Sequence, residues 1–444
     1  MGASGKLASG LRAQYRSRQM SAAPEHPRDP VGWTAALSFA FLLLCLIRLT
    51  IPSHLYFDEI HYVPAARILL ELFGPANPEH PMLGKEIIAA GIALFGDKPL
   101  GWRFFSLIAG AITLFAFMRA MWFTTLSRFA TMAGGVLIIS AFPLYIQSRI
   151  AMLDIFVAMF LMLAAWQSAA AMRHPQTARW RLVITGIFLG CALACKWNAA
   201  PVAFLLAFGF FIMRVEDKGS SFITTRYGRP IPGISLLEAA LWLGVVPIAV
   251  YFATFAPMLF YQNERIPISG LLRFQMTMME LQESVKKPHT YQSQWLQWVF
   301  NWRPIWYFYD HTDGAQRGVL LLGNPFTMLA GLPAFAWGAF MGVFRERWDA
   351  LAIALFYAAS IGFWMIAANP LPFYYHYMLP SFFLMAALAL ALDEFWKRGR
   401  KWWALGALAL SLGLFAWFFP ILSAAPLPDG TKSFETYTWL HSWR

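Results

Sequence analysis

The chain has 444 residues, of which 59% are hydrophobic and 13% are charged, and its formal net charge is +12. A composition this apolar excludes an ordinary soluble domain and predicts a protein that crosses a membrane many times. The excess of lysine and arginine could indicate nucleic-acid binding. In a membrane protein, however, basic residues gather in the cytoplasmic loops, and this tendency accounts for most of those present here.

Apolar runs long enough to cross a bilayer recur along the chain, and charged residues, prolines and glycines separate them. About 11 spans are predicted from this pattern. They are residues 32–52, 100–122, 129–147, 151–172, 182–196, 199–214, 235–257, 318–343, 350–368, 373–392 and 402–422. The stretch 182–214 is too long for one helix, so it is divided near Lys196 and Asn198, where its polar residues lie.

The positive-inside rule orients these spans with the N-terminus in the cytoplasm. It predicts a cytoplasmic arm at 1–31, a membrane domain at 32–422 and a tail on the outer face at 423–444. Two long outer segments, 53–99 and 258–317, are predicted to roof the outer end of the domain. The three cysteines lie inside apolar runs, so they predict packing residues and neither a disulfide nor a zinc site.

Each outer segment contains a stretch with amphipathic character, which predicts a helix that lies in the membrane interface. These stretches are Val63–Phe73 and Gly270–Lys287. Such helices would cover the outer ends of the spans. The sequence shows no repeat at a solenoid period and no low-complexity tract.

Asp58 and Glu59 form an acidic pair directly after an apolar run. Such a pair beside a helix end is most often simply solvated. Here His80 and Lys85 follow on the same outer segment, and together they suggest more than a solvated loop. These carboxylates and cations are predicted to meet at the outer boundary of the membrane.

Three further ionisable residues, Arg149, Asp154 and Lys196, lie at predicted membrane depth, where a charge is costly and often functional. A surface with carboxylates and cations at the bilayer boundary suits an anionic phosphate on a lipid tail. The cations would hold the phosphate and stabilise the leaving group, and a carboxylate would accept a proton from an attacking hydroxyl.

Seven short motifs carry a resemblance to a known family. They are FDEIHY (Phe57–Tyr62), HPMLGK (His80–Lys85), SRIAMLD (Ser148–Asp154), CKWNAAP (Cys195–Pro201), NWRPIWYFYD (Asn301–Asp310), LLGNP (Leu321–Pro325) and FYYHYMLP (Phe373–Pro380). Their order resembles that of the protein O-mannosyltransferases, which are polyprenyl-phosphate-sugar-dependent membrane glycosyltransferases. The resemblance covers about 33–420. It implies an all-α polytopic membrane protein with the GT-C fold, about 11 transmembrane helices and interfacial helices on the outer face.

The resemblance implies that Asp58 is the catalytic base, which activates a Ser or Thr hydroxyl for inverting attack on the sugar C1. Glu59 would complete the catalytic pair as its structural or substrate-binding neighbour. The candidates for substrate binding are His80, Lys85, Arg103, Arg149, Asp154, Lys196, Arg303 and His376.

Several of these candidates have a structural alternative. Arg149 could form an ion pair with Asp154, Arg103 could extend to the interface, and His376 could have a hydrogen-bonded structural role. The aromatic residues of 295–309 could form an interfacial belt or a platform for a sugar.

The reaction that the resemblance implies transfers a sugar, with mannose as the leading candidate, from a polyprenyl-phosphate carrier to Ser or Thr of a protein. The site would lie on the outer face of a bacterial inner membrane. The implied partners are the lipid-linked donor, membrane lipids and a protein acceptor that the secretion machinery could deliver, and no nucleic acid. No cofactor and no metal is expected to be required, because cationic side chains can neutralise a single phosphate, although Asp58, Glu59, His80 and Asp154 could in principle hold a metal.

Two departures from the family pattern and two rival functions remain. Met82 replaces the second proline of the usual H-P-P-L-G-K motif, and 258–317 is too short for the β-trefoil domain that eukaryotic members insert there. A minimal, bacterial-type member is therefore expected. The acceptor could instead be a lipid or glycan, as in aminoarabinose transfer to lipid A. A secondary transporter would be expected to show inverted repeats and ionisable residues near the midplane, which this sequence does not show.

Overall fold

The structure, a computed structural model, describes residues 27–284, 289–367, 371–428 and 430–444. Its α-helices are α1 Val31–Leu46, α2 Glu59–Leu70, α3 Leu83–Phe95, α4 Pro99–Thr125, α5 Arg128–Ser140, α6 Pro143–Gln147, α7 Leu153–Arg173, α8 Ala178–Cys195, α9 Ala200–Lys218, α10 Leu236–Ala240, α11 Val246–Ala253, α12 Leu271–Ser284, α13 Trp295–Val299, α14 Pro325–Arg345, α15 Trp348–Ile366, α16 Met378–Lys397 and α17 Lys401–Leu422. A π-helical turn, Leu241–Val245, joins α10 to α11. The antiparallel strands β1 Ile305–Thr312 and β2 Ala315–Leu321 form a hairpin.

Short 3-10 helices complete the secondary structure. They are Pro175–Thr177, Trp197–Ala199, Gly219–Ser221, Ala256–Phe260, Ile268–Gly270, Tyr374–Tyr377, Gly430–Thr436 and His441–Trp443. Within the described ranges, nine helical segments are long and apolar enough to cross a membrane, and α1 and α5 are shorter apolar helices. These helices follow the predicted runs in chain order and confirm a helical, polytopic membrane protein. The number of helices that actually cross the bilayer stays a prediction.

The predicted division of 182–214 is confirmed. Helix α8 ends at Cys195, and Lys196 adopts an extended backbone with φ −164° and ψ 140°. A 3-10 turn follows, and α9 then begins with Pro201 in its first turn. Proline suits the first turn of a helix because its missing N–H would have no helical partner there. The break places the Lys196 ammonium beside Asp154 in the first turn of α7.

In the predicted span 32–52 the helix ends at Leu46, and two further predicted spans differ from the structure in their elements. In 318–343 the first residues belong to β2, and α14 begins only at Pro325, where Asn324 caps it by accepting the N–H groups of Phe326 and Thr327. In 129–147 the chain forms two helices, because Phe142 between them has a φ of 86°. Hydropathy alone predicted a single element in each case, since apolar strands and helix breaks inside a membrane protein leave the run continuous.

The outer helices partly match the prediction. The amphipathic stretches Val63–Phe73 and Gly270–Lys287 correspond to α2 and α12, and the last residues of the second lie outside the described part of the chain. Helix α3 was not predicted. It packs closely on α4 at Gly91, where a Cβ atom would collide with the carbonyl oxygen of Gly101.

Hydrogen bonds tie the two outer segments and the C-terminal tail together at one end of the helices. The N–H groups of Gln262 and Asn263 donate to the carbonyls of Leu72 and Phe73 at 2.8 and 2.9 Å. The indole of Trp443 donates to the Asn301 carbonyl at 2.8 Å. The segments 53–99, 258–317 and 423–444 therefore share one end, as the predicted topology requires.

Many of the remaining charged groups lie at the opposite end. Arg119 pairs with Asp29, Lys397 with Asp393 at 2.6 Å, and Arg347 contacts Glu394 at 3.8 Å. This end is the predicted cytoplasmic side. Most of the predicted cytoplasmic arm, residues 1–26, lies outside the described residues.

Candidate active site

Asp58 lies at the start of α2, where the chain turns into the helix. The preceding residue, Phe57, has a φ of 51°, a left-handed conformation that is costly for a phenylalanine. Its ring stacks on Tyr307 of β1 with centroids 4.0 Å apart, which fixes this turn against the hairpin. The Asp58 carboxylate is consequently held half-buried at the outer end of the helices.

Burial raises the pKa of Asp58 to about 6, because a charged carboxylate is poorly solvated there. The positive charge of Lys196 opposes this rise, as does a hydrogen bond from Tyr62. The carboxylate is therefore mostly ionised at pH 7 and can still accept a proton. A pKa close to the working pH is what general base catalysis requires.

Lys196 and Asp154 form a buried ion pair beside Asp58. The Lys196 Nζ lies 2.9 Å from Asp154 Oδ2, and Asn198 donates to Asp154 Oδ1 at 3.3 Å. The ammonium also lies 4.8 Å from the centre of the Tyr375 ring. Both charges are less than one-tenth exposed. A buried ammonium requires a negative partner, and Asp154 supplies it, so the cation is held at the site even without a bound anion.

His80 lies at this site as a neutral imidazole. Burial lowers its pKa well below the usual value, and the charges of Lys196 and Lys85 lower it further. The ring contacts Tyr62 edge to face at 5.8 Å. Its Nδ1 is buried with no partner in the described residues. Burial thus disfavours a charge on this ring, which can still offer hydrogen bonds, and the role of His80 in substrate binding stays a prediction.

Glu59 faces away from the Asp58 carboxylate and into the protein. Arg103 donates to both Glu59 oxygens at 2.8 Å, and the Ala151 amide donates at 2.9 Å. Both side chains are completely buried. These bonds occupy the Glu59 carboxylate and favour its structural role among the two that were expected.

Arg103 uses its remaining donors on backbone carbonyls. They donate to the carbonyls of Leu49, Pro52 and His54 at 2.7–3.1 Å. With the two bonds to Glu59, all five N–H groups have a partner. Arg103 therefore neither binds a phosphate in this arrangement nor extends to the interface, and both expectations need correction. It fixes the chain that leads into Asp58.

Lys85 shapes the loop before α3. Its Nζ donates to the carbonyls of Ala76, Asn77 and His80 at 3.1, 2.7 and 2.9 Å. All three ammonium hydrogens are thus engaged. Burial lowers the pKa of Lys85 to about 7. The side chain holds His80 in position and has no free donor for a substrate, unlike the prediction.

Arg149 contacts backbone carbonyls and does not pair with Asp154. Its Nη2 lies 2.8 Å from the carbonyls of Ile47 and Arg48 and 3.4 Å from that of Ser423. Arg48 also donates to the Ser423 hydroxyl at 2.6 Å. Both expected roles of Arg149, phosphate binding and an ion pair, are therefore replaced by a role in joining the ends of α1 and α17. Helix C-termini attract cations because their last carbonyls lack helical partners.

The last two candidates are His376 and Arg303. His376 accepts the Phe373 N–H on Nδ1 at 3.0 Å and stacks on Trp364 at 3.9 Å, which agrees with the structural alternative. Arg303 lies near the surface and donates to the Thr290 carbonyl at 2.8 Å. It borders an open depression of about 600 Å³ with Trp302.

Two tyrosines at the site were not predicted as site residues. Tyr307 accepts a hydrogen bond from Gln147 at 2.9 Å, and Tyr375 lies under Lys196. Burial raises the pKa of Tyr307, and the nearby charges of Asp154 and Asp58 raise it further. Both tyrosines occur in the seven motifs. Only Tyr307 lies in the aromatic stretch 295–309, for which an interfacial belt and a sugar platform were both expected. Their hydroxyl groups could have distinguished them from the phenylalanines around them.

The site therefore combines one accessible carboxylate, one buried cation, a neutral imidazole and two tyrosines. Across the described ranges no three His, Cys, Asp or Glu side chains are grouped closely enough to hold a metal ion. The expectation that no metal is required stays a prediction. An anion that enters this site would meet the Lys196 ammonium. The bond to Asp154 uses one of the three N–H donors of this ammonium.

Two family models match the chain. The first is described as dolichyl-phosphate-mannose-protein mannosyltransferase and matches residues 100–259. The second is described as the C-terminal four transmembrane region of protein-O-mannosyltransferase and matches residues 267–443. Together they cover most of the chain.

Named relatives and solved structures agree with these matches. A polyprenol-phosphate-mannose protein mannosyltransferase of Mycolicibacterium smegmatis is 29% identical, over 87% of each chain. The structure of the Saccharomyces cerevisiae protein O-mannosyltransferase Pmt1-Pmt2 complex bound to the sugar donor matches with a TM-score of 0.78 and 14% identity, over 96% of this chain and 94% of that one. Apo ArnT from Cupriavidus metallidurans matches with a TM-score of 0.58 and 15% identity, over 91% and 77%. At such identities the structures support the shared GT-C fold alone.

Proposed function

The chain belongs to the protein O-mannosyltransferase family, and on this premise we propose that it transfers mannose from a polyprenyl-phosphate carrier to Ser or Thr of a protein. The relatives named polyprenol-phosphate-mannose protein mannosyltransferase support this donor and acceptor. The enzyme is a membrane-embedded glycosyltransferase. We place its reaction on the outer face, at the end of the helices that carries Asp58.

The observation that carries the mechanism is the placement of Asp58 next to the Lys196–Asp154 ion pair. Asp58 accepts the proton of the acceptor hydroxyl, whose oxygen forms a bond to the sugar C1. The bond from C1 to the phosphate oxygen breaks, and its electron pair leaves with the polyprenyl phosphate. Attack from the side opposite the leaving group inverts the configuration at C1.

Lys196 stabilises the phosphate as negative charge develops on it. A preorganised cation in a site that excludes water is worth far more than one in solution. Asp154 holds the ammonium in place through the 2.9 Å contact. The proposed reaction needs no cofactor, and the donor brings the only phosphate that must be neutralised.

We place the acceptor surface at the open depression between the second outer segment and the C-terminal tail, which Arg303 and Trp302 border. A lipid or glycan acceptor is the alternative for the same chemistry. Orientation in a bacterial inner membrane, with the site toward the periplasm and acceptors delivered during secretion, is part of this proposal and follows the positive-inside pattern.

A direct assay separates these acceptors. The purified protein would be incubated in detergent with polyprenyl-phosphate-mannose and either a threonine-rich peptide or lipid A. We expect mannosylated peptide, detected by mass spectrometry, and no modified lipid A. Transfer to lipid A alone would overturn the protein acceptor, and release of no sugar with either acceptor would overturn the enzyme proposal.

The pH dependence of transfer tests the assigned base. Because the ionised carboxylate is the base and the pKa of Asp58 is about 6, the rate is expected to be lost as the pH falls through about 6. Below that pH kcat/KM should fall roughly tenfold per pH unit. The positive charge of Lys196 lowers the pKa of Asp58, so Lys196→Met should shift this profile to higher pH. A wild-type profile that stays level down to pH 5 would exclude Asp58 as the titrating base.

A further inference from the structure

A groove lies between α14, α16 and α17 near the end opposite Asp58, and nothing in the proposed reaction uses it. Its volume is about 510 Å³. Each helix contributes residues at helical spacing, so each presents one face to the groove. The lining residues include Phe326, Ala334 and Trp337 of α14, Leu388 and Ala391 of α16, and Ala407 of α17.

The walls of the groove are apolar, and small alanine side chains create its width. From Phe326 to Trp337 the α14 wall extends about 16 Å along the helix axis. This length is close to half of the roughly 30 Å hydrocarbon core, which is the depth of one leaflet. The groove can therefore hold an acyl chain from the leaflet at its mouth.

The mouth of the groove is basic. Arg398 and Arg400 border it, and the only acidic residue that lines it in the described part of the chain is Glu394. Glu394 is already paired, since Arg398 contacts it at 2.7 Å and Arg347 at 3.8 Å. The cations at the mouth thus outnumber the acidic groups, and the Arg398 and Arg400 side chains are exposed.

The surroundings place this mouth at a membrane boundary. Trp402 and Trp403 at the start of α17 are 84% and 74% exposed. Exposed tryptophans of this kind favour the headgroup region of a bilayer. Basic pockets between membrane helices on the cytoplasmic side suit anionic lipid headgroups.

We propose that this groove binds one anionic glycerophospholipid of the cytoplasmic leaflet. The phosphate lies between Arg398 and Arg400, and one acyl chain occupies the apolar walls as far as Phe326. Charge complementarity at the mouth favours this occupant over a zwitterionic lipid, and the length of the walls suits an acyl chain. The site is independent of the proposed sugar transfer, because the groove opens at the other end of the helices.

Native mass spectrometry of the purified protein in detergent tests this site. Phosphatidylglycerol and phosphatidylethanolamine would be titrated separately onto the wild type, Arg398→Gln/Arg400→Gln and Ala330→Phe. We expect the wild type to bind phosphatidylglycerol at least about tenfold more tightly than phosphatidylethanolamine. The arginine variant should lose this preference. Ala330 also lines the groove on α14, so the larger side chain of Ala330→Phe should fill it and weaken binding of the lipid.

Arg345→Gln is the matched control, because Arg345 is exposed at the end of α14 and does not line the groove. It should bind phosphatidylglycerol as the wild type does. Equal binding of both lipids by the wild type, or unchanged binding by the arginine variant, would overturn the proposal. If the arginine variant binds phosphatidylglycerol more weakly but Ala330→Phe binds it as the wild type does, the acyl-chain placement is overturned. Unchanged thermal midpoints would show that the variants fold.

Discussion

Replacing Asp58 with asparagine is expected to lower the rate of mannose transfer about a hundredfold or more. A positioned general base contributes roughly 10² to 10⁴ in rate, and asparagine cannot accept the hydroxyl proton. Asparagine has nearly the same shape as the half-buried aspartate, so the turn into α2 and its Phe57–Tyr307 stack should be retained. The measurement is kcat for transfer to a threonine-rich peptide, together with the thermal midpoint of the protein.

Glu264→Gln provides the control for this loss. Glu264 is an exposed carboxylate on the second outer segment, and its replacement removes one negative charge from the same end of the protein. Its kcat should remain within about twofold of the wild type, because an exposed charge acts only weakly through water. A folded Asp58→Asn protein with wild-type activity would contradict the assigned base.

Replacing Arg103 with methionine is expected to produce the largest loss of stability. The change leaves the Glu59 carboxylate completely buried with its cation removed. Breaking a buried ion pair from one side typically costs about 3–5 kcal/mol of the free energy of unfolding. The thermal midpoint in detergent should fall sharply, and activity should fall with it, because Arg103 fixes the carbonyls of the chain that leads into Asp58.

The exposed pair of Arg67 and Asp97 is a matched control in the same region. Their side chains are 38% and 47% exposed, and their contact distance of 2.9 Å is close to that of the buried pair. Arg67→Met should lower the free energy of unfolding by less than about 1 kcal/mol. Similar losses of stability in Arg67→Met and Arg103→Met would show that burial does not set the strength of the Glu59–Arg103 pair. The double variant Glu59→Gln/Arg103→Met should be less destabilised than the sum of its single changes.

The sequence was informative where a polar residue interrupts an apolar run. Lys196 and Asn198 predicted the break between α8 and α9, because an ammonium inside an apolar run requires a partner or water. The same reasoning indicated that Asp58 stands at the outer end of the helices. In both places the polar residue and the apolar run that it interrupts are neighbours in the chain, so one sequence is enough to predict the feature.

The partners of the buried charged side chains could not be predicted from the sequence in this way. Arg149 was expected to bind a phosphate or Asp154, and it instead contacts the carbonyls at the ends of α1 and α17. Every residue carries a backbone carbonyl, so no pattern of side chains marks such a partner. Arg103 and Glu59 are far apart in sequence, and only the packing of α4 against the first outer segment brings them together.

The hairpin was missed for a different reason. Its strands contain aromatic residues at consecutive positions, such as Trp306 and Tyr307, so the alternation of apolar and polar residues that identifies a strand is absent. Strand β2 then merges into the apolar residues before α14. The hydropathy of this stretch could not separate a buried strand from the beginning of a membrane helix.

The contacts of Ser423 with Arg48 and Arg149 have a consequence for biosynthesis. Arg48 and Arg149 are translated early, and Ser423 is made only after the last apolar helix. Domains form from the N-terminus onward during synthesis, but here the Asp58 end cannot close until α17 has entered the membrane. We therefore expect nascent chains and chains truncated before α17 to remain inert, so that sugar transfer begins only after insertion is complete.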